Sequence, residues 1–381
     1  MNERGSIYPL VRRLTARYTA LWFNASGNPP LLPRRFSRLE QHQREKQLDA
    51  LRRDGPLERK RIIAFITREK PGRTGSGLRR FLNDCGRAGE QFVAQARKFR
   101  PDVSESDLHQ ALRNLWVFNS IQLYLGKQVL LTPSSFAYSL LYPYTDNCLD
   151  GQAETRRGKQ ALLQWLFLQL SGQPEAACDP HQAAIAALLG MIRKEHHRSR
   201  RPEVHQSLLA IHQAQKRSMY LCGMKSGKTE HALIPLTIEK GGASVLVDGF
   251  LAGRPRSDQT EAIFGYGVLL QLVDDLEDLQ EDIDAGHSTP FSRAIRHGTL
   301  EGITNRLFNF TTLIAGQLKR TDCLKNGYIA ALVEQSCTLL IQEAVARHSH
   351  LYRRGYVSSL GCYAPVSMGY LRRLKSLQQK H

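Results

Sequence analysis

The sequence predicts an all-α protein, a large antiparallel helical bundle with a basic N-terminal extension. Three observations lead there. Apolar residues recur with a period near 3.6, the spacing of one helix face, along most of the chain. Clusters of Gly and Pro separate these stretches. No β-hairpin signal and no strand–helix alternation interrupts them.

At the N-terminus, Ile7, Leu10, Val11, Leu14, Tyr18 and Leu21 share a helical face, with Arg12, Arg13 and Arg17 between them. Trp22 and Phe23 close this segment, 7–23, and Gly27-Asn28-Pro29-Pro30 ends it. Two placements fit such a basic amphipathic helix: on a membrane surface, as a peripheral contact, or docked on the same protein. Residues 31–75 are Arg-rich, broken by Pro33, Gly55-Pro56 and Pro71-Gly72, and read as an appendage with some helix. The expected division is therefore a basic extension over 1–75 and a single all-α domain over 76–381. Within that domain the helical period recurs at 108–125, 162–170, 183–192, 204–220, 244–251, 262–279, 302–318 and 328–346. Pro133, Gly151, Gly172-Gln173-Pro174, Pro202, Gly223 to Gly227, Pro255, Gly286 and Gly298 fall between them as breakers. Facing helices of a bundle are where such folds build their polar sites.

The chain has 381 residues, 41% of them hydrophobic, enough for a substantial core. Its formal net charge is +18, and residues 1–100 alone hold 23 Lys/Arg against 9 Asp/Glu. Such a surface attracts polyanions: nucleic acid, anionic lipid or phosphorylated small molecules. No helix-turn-helix or zinc-finger pattern supports a nucleic-acid partner. The seven cysteines are scattered without a C-x-x-C, which argues against a disulfide framework or zinc site and suits a reducing compartment. No uninterrupted apolar run approaches a membrane span and no signal-peptide pattern is present, so a cytoplasmic location is expected, with membrane association through 7–23 as its variant.

Against this basic background, six acids fall within nine residues from Asp274 to Asp282. Asp274, Asp278 and Asp282 stand at i, i+4, i+8. Each step of four rotates about 40° net and rises about 6 Å, so the three line one slowly drifting stripe, with Asp275 and Glu281 at its margins. Like charges at this spacing repel. A hard divalent cation is the simplest group to offset them. Glu277, Glu281 and Asp284 read instead as a solvated face. Upstream, Asp146 and Asp150 form a second i,i+4 pair on a segment flanked by aromatic and apolar residues. Two such pairs on facing helices would hold magnesium between them, since magnesium takes one or two carboxylates per ion and completes its shell with water and phosphate oxygens.

The run from Phe264 to Asp278, with Gly265, Gly267 and Gln271 before Asp274-Asp275-Leu276-Glu277-Asp278, resembles the second aspartate-rich motif of the trans-isoprenyl diphosphate synthases. Lys240-Gly241-Gly242-Ala243 resembles that family's K-T-G-A segment, where a Lys meets diphosphate and a glycine-rich kink interrupts the helix. Gly286-His287-Ser288-Thr289-Pro290 resembles the segment after the second motif, with His287 where a Lys is usual. The likeness is good from Lys240 to Phe291, extends more loosely from residue 105, and does not reach the first 75 residues. The first motif departs from the elongating enzymes: Asp146-Asn147-Cys148-Leu149-Asp150 lacks the second Asp and looks closer to divergent class I terpene synthases. No counterpart of the isopentenyl diphosphate site is found. Arg156-Arg157-Gly158-Lys159 argues the other way, resembling a segment that follows the first motif in elongating synthases.

The resemblance implies an isoprenoid-synthase type of bundle and a class I terpene synthase that ionises an allylic isoprenyl diphosphate, releasing pyrophosphate. The alternative is a prenyltransferase joining that substrate to isopentenyl diphosphate. It implies three magnesium ions per site, held by Asp146, Asp150, Asp274, Asp278 and Asp282. Lys240 would bind diphosphate, with Arg193, Arg217 and Lys228 as further contacts and Gln271 beside the motif. Phe118, Phe136, Tyr142 and Tyr144 are the expected cavity aromatics. A homodimer is compatible with the family. Two other patterns are set aside. Gly223 to Thr229 is one residue short of a P-loop and follows a helix rather than a strand. His196-His197 after Glu195 lacks H-E-x-x-H spacing and sits among Arg198, Arg200 and Arg201.

Overall fold

The computed structural model describes residues 7–53, 74–150, 155–222, 229–325 and 327–378, with the side chains of 51–53, 74–76, 78, 146–150, 156, 220–222 and 374–378 outside that description. Among the described residues the chain is helical throughout and has no strand. In order the helices are α1 (Tyr8–Asn24), α2 (Arg38–Arg53), α3 (Thr74–Phe99), α4 (Glu105–Tyr124), α5 (Pro133–Asp150), α6 (Arg156–Ser171), α7 (Pro180–Glu195), α8 (Pro202–Cys222) and α9 (Glu230–Ala252). There follow α10 (Ser257–Glu277), α11 (Leu279–Ala285), α12 (Pro290–Arg296), α13 (Leu300–Thr321), α14 (Tyr328–Arg347), α15 (Arg354–Gly361) and α16 (Met368–Gln378). The expected all-α bundle is what forms.

Several residues read as breakers instead start helices. Pro133 and Pro202 are the first residues of α5 and α8. Proline lacks only an N–H that has no partner in a first turn, and its φ is already helical. Side-chain caps complete the starts: Ser104 accepts from the Asp107 amide ahead of α4, and Asp179 accepts from the Gln182 amide ahead of α7. Gly172 and Gly286 end α6 and α11 at φ 87° and 70°, a region that glycine enters without strain.

The centre of the bundle is the α9–α10 pair. A Cβ on Gly267 would lie 2.2 Å from the Gly241 carbonyl oxygen and 2.8 Å from Val245 Cβ, so the two backbones touch. The glycines of the Lys240 segment therefore serve close approach. The interruption expected there is absent, and the helix α9 runs unbroken through Pro235, Gly241 and Gly242. Helices α8, α4 and α1 pack on α9; α13 and α14 pack on α10; α5 bridges α4 and α7; α6 lies on α8. Helix α1 belongs to the same core. Val11, Leu14, Tyr18 and Trp22 are buried, and Tyr18 fits a notch at Gly265, where a Cβ would come 2.5 Å from its hydroxyl. The apolar face that the sequence offered to a membrane is thus turned inward. Helix α2 joins a smaller core with Leu339, Val366, Tyr370 and Leu371, and the Tyr370 hydroxyl donates to Asp49 Oδ1 (2.8 Å). Among the described residues one helix, α14, is long and apolar enough to cross a membrane by length and composition, and most of it is buried in the bundle.

Candidate functional site

The burial of Val268, Leu269, Leu272, Val273 and Leu276 fixes the rotation of α10. That rotation carries the acidic stripe to one end of the bundle. The Asp278 amide donates to the Asp274 carbonyl (2.9 Å), and the Asp282 amide to the Asp278 carbonyl (2.9 Å). The i,i+4 register thus continues through the junction of α10 and α11, and Asp274, Asp278 and Asp282 share a stripe as expected.

Asp275, expected only at the margin, is central. Gln271 Nε2 donates to its Oδ1 (2.9 Å), and Thr237 Oγ1 lies 3.4 Å from its Oδ2. Burial raises its pKa to about 7, the Gln271 hydrogen bond opposes, the charges of Asp282 and Asp274 add to the rise, and Lys240 counters it. Asp282 is likewise pushed up to about 7, by burial and then by Asp278, with a hydrogen bond from Thr289 opposing and Asp274 and Glu281 adding. His287 Nδ1 stands 3.6 Å from Asp282 Oδ1. These carboxylates crowd one another more than the local cations offset.

The cation that reaches Asp274 comes from α4. Arg113 Nη2 donates to Asp274 Oδ1 (2.7 Å), and Asp274, then Glu277 and Tyr142, hold the guanidinium firmly charged. Sequence reasoning missed Arg113. Its only signal was a lone Arg in a helix whose Leu108, Ala111, Leu115 and Phe118 are all core. Lys240 lies within electrostatic reach of Asp275, set there by the Gly241–Gln271 contact on the next turn. Gln271 meets the motif itself, through Asp275.

The remaining expected residues divide. Asp146 and Asp150 lie in the last turns of α5, and their side chains are outside the described residues, as is Lys228. Tyr142, one turn before Asp146, is within reach of Arg113 and so on the same end of the bundle as Asp274. Arg217 is tied to Glu239, beside Lys240 (Nε–Oε2 3.1 Å). Arg193 is placed elsewhere. It hydrogen-bonds the Gln169 and Ala186 carbonyls near the start of α5, where Glu195 accepts from the Ser134 amide, whereas Tyr142 and the aspartates are at the other end. Phe118 and Phe136 are fully buried, and Phe136 packs on Phe92 and Phe99 of α3. Tyr144 stacks on His181 with ring centroids 5.4 Å apart, and Arg100 lies over its ring. These three rings pack helices together. Glu277, read as solvated, is buried, and its carbonyl accepts from Arg347 and His348; Glu281 and Asp284 are exposed as expected.

Among the described residues, no three His, Cys, Asp or Glu side chains converge as a closed cage for an ion. The donor set nevertheless fits magnesium, which needs only one or two carboxylates per ion and takes water and phosphate oxygens for the rest. Hard oxygen ligands with excess negative charge are its chemistry.

No family model matches the chain, and no curated protein matches it. Among solved structures, the chain is similar to a dehydrosqualene synthase in complex with ligand, with a TM-score of 0.39 and 13% identity, over 79% of this chain and 98% of that one.

Proposed function

We propose that this protein is a magnesium-dependent class I terpene synthase acting on an allylic isoprenyl diphosphate. One observation carries the reading. Asp274, Asp275, Asp278 and Asp282 are gathered at one end of an apolar bundle, with Asp275 and Asp282 both raised to about 7 and Lys240 and Arg113 alongside. Burial and mutual repulsion cost stability, and a divalent cation with a bound polyanion relieves both.

Magnesium, held by Asp274, Asp278 and Asp282 and by Asp146 and Asp150 from α5, would supply the positive charge that draws off the diphosphate. Lys240 binds diphosphate oxygens. Arg113, released from Asp274 when that carboxylate takes its ligand, is free to do the same. These cations sit where charge develops as the C–O bond breaks and its electron pair leaves with the diphosphate. The allylic cation is then screened from water by the bundle. It cyclises or loses a proton, and the pair of the broken C–H bond becomes a double bond.

The test is turnover. Purified protein with magnesium and geranyl, farnesyl or geranylgeranyl diphosphate should release pyrophosphate and a hydrocarbon or alcohol. A longer diphosphate formed with isopentenyl diphosphate makes it an elongating prenyltransferase, the outcome Arg156-Arg157-Gly158-Lys159 favours. No turnover with any of them, alongside salt-sensitive nucleic-acid binding, sinks both.

A further inference from the structure

One to two turns below the acidic end lies a second polar layer drawn from the same four helices. Above are Arg113 of α4, Tyr142 of α5, Lys240 of α9 and Asp274 of α10. Below are Ser120, Tyr138, Asp248 and Tyr266 of those helices in turn. Eight residues separate Lys240 from Asp248, about 12 Å along the helix axis. Asp248 is 4% exposed, and its Oδ1 is buried without a hydrogen-bond partner. No charged side chain offsets its burial, which pushes the carboxyl well above its usual range and favours the neutral form. Tyr138 and Tyr266 lie within its electrostatic reach.

The three groups differ in one respect. Tyr138 donates its proton to the Ser244 carbonyl (2.8 Å). Tyr266 is hydrogen-bonded to Ser120, whose own proton goes to the Trp116 carbonyl (2.9 Å). The Tyr138 proton is committed to the fold, and Tyr266 is tied to Ser120. Asp248 has an oxygen committed to nothing. A buried polar atom without a partner costs free energy that an apolar side chain would not. The fold gives no reason for a carboxyl there, and a ligand does.

We propose that Asp248 exchanges a proton with the hydrocarbon chain of the bound substrate, and so selects the product. This rests on the reading of the site as one that ionises an isoprenyl diphosphate. With its head at Lys240 and the aspartates, the substrate's chain runs down α9 past Asp248. Once the allylic cation has given a proton to the released pyrophosphate and is an uncharged polyene, the neutral carboxylic acid protonates one of its double bonds: the π pair forms the new C–H bond, the O–H pair stays on Asp248, and the other alkene carbon becomes cationic. A neighbouring C–H bond then breaks, its pair forms the new double bond, and the proton returns to Asp248. The cycle balances without a co-reactant, and ionisation at the other layer does not require it.

The experiment equilibrates the full chain in D2O, supplies magnesium and geranyl, farnesyl or geranylgeranyl diphosphate, and reads pyrophosphate release and product mass. The native product should carry deuterium on carbon. Asp248→Asn should release pyrophosphate within about threefold of native while deuterated product falls at least about a hundredfold. Asp248→Leu should give the same product as Asp248→Asn. Both variants should unfold at or above the native midpoint, because Oδ1 has no bond to lose. An unlabelled native product, or the same label from Asp248→Asn, overturns the proposal. So does parallel loss of pyrophosphate release and thermal midpoint, which makes Asp248 structural. No pyrophosphate from the native protein overturns the ionisation reading itself, a distinct result.

Discussion

The Asp274 side chain is 34% exposed and bonds Arg113, whose side chain is 54% exposed. A pair this open contributes about 1 kcal/mol at most. Asp274→Ala should therefore leave the thermal midpoint within a few degrees of native while turnover falls at least about a hundredfold. Retained turnover removes Asp274 from the metal set. Asp275 and Asp282 make a pH prediction of definite sign. Their pKa values rise from 3.8 to about 7 in the folded chain. Between those limits the folded protein binds protons that the unfolded chain has released, so stability falls as pH rises through the window and levels off above it. His196, His205 and His212, whose pKa values burial lowers, add an opposite rise, so the fall is read as the difference between metal-free native protein and its Asp275→Asn and Asp282→Asn variants in thermal melts from pH 4 to 8. Added magnesium should raise the midpoint at pH 8 and do little at pH 4, where protons hold the carboxyls. A native-minus-variant difference in midpoint that grows with pH across the window contradicts the crowding.

Among elements, the α9–α10 contact decides most. Gly267→Ala places a methyl against the Gly241 carbonyl at 2.2 Å, which is backbone and cannot rotate away. The helices must separate, at a cost of about 1–3 kcal/mol, and Lys240 moves away from Asp275 with them. Gly302→Ala on α13 meets nothing within 4 Å and is the control, neutral or slightly stabilising. Chemical denaturation of the two variants separates a packing role from a helix-propensity effect, and equal losses would remove the special status of the contact. The period of apolar residues revealed α10 because its buried face is regular. It missed the first half of α9, where Gly241 and Gly242 were expected to interrupt the helix, because a glycine used for close packing and one used for a break are the same letter.

For the whole molecule, α1 is part of the fold. Trp22 is fully buried against Phe310, with ring centroids 5.5 Å apart, and its Nε1 donates to Glu230 at the start of α9 (3.2 Å). Trp22→Ala should cost about 3–5 kcal/mol by denaturant unfolding, since no neighbouring chain can refill so large a cavity. A loss under 1 kcal/mol would mean α1 is a detachable tail. The amphipathic pattern of 7–23 established a helix with one apolar face, and it left open what covers that face.

The sequence by itself determined the helical class, the register of Asp274, Asp278 and Asp282, and the segment that supplies Lys240. These are local properties, read from a period of 3.6 and from neighbours in the chain. Only the tertiary structure decided that Arg113, 161 residues away, is the cation on Asp274. It also moved Asp275 from margin to centre, moved Arg193 to the far end of the bundle, and set Asp248 unpartnered beneath the acidic layer. Those facts depend on which helices face one another and how deeply each carboxyl is buried, and neither is written in the spacing of a single strand of letters.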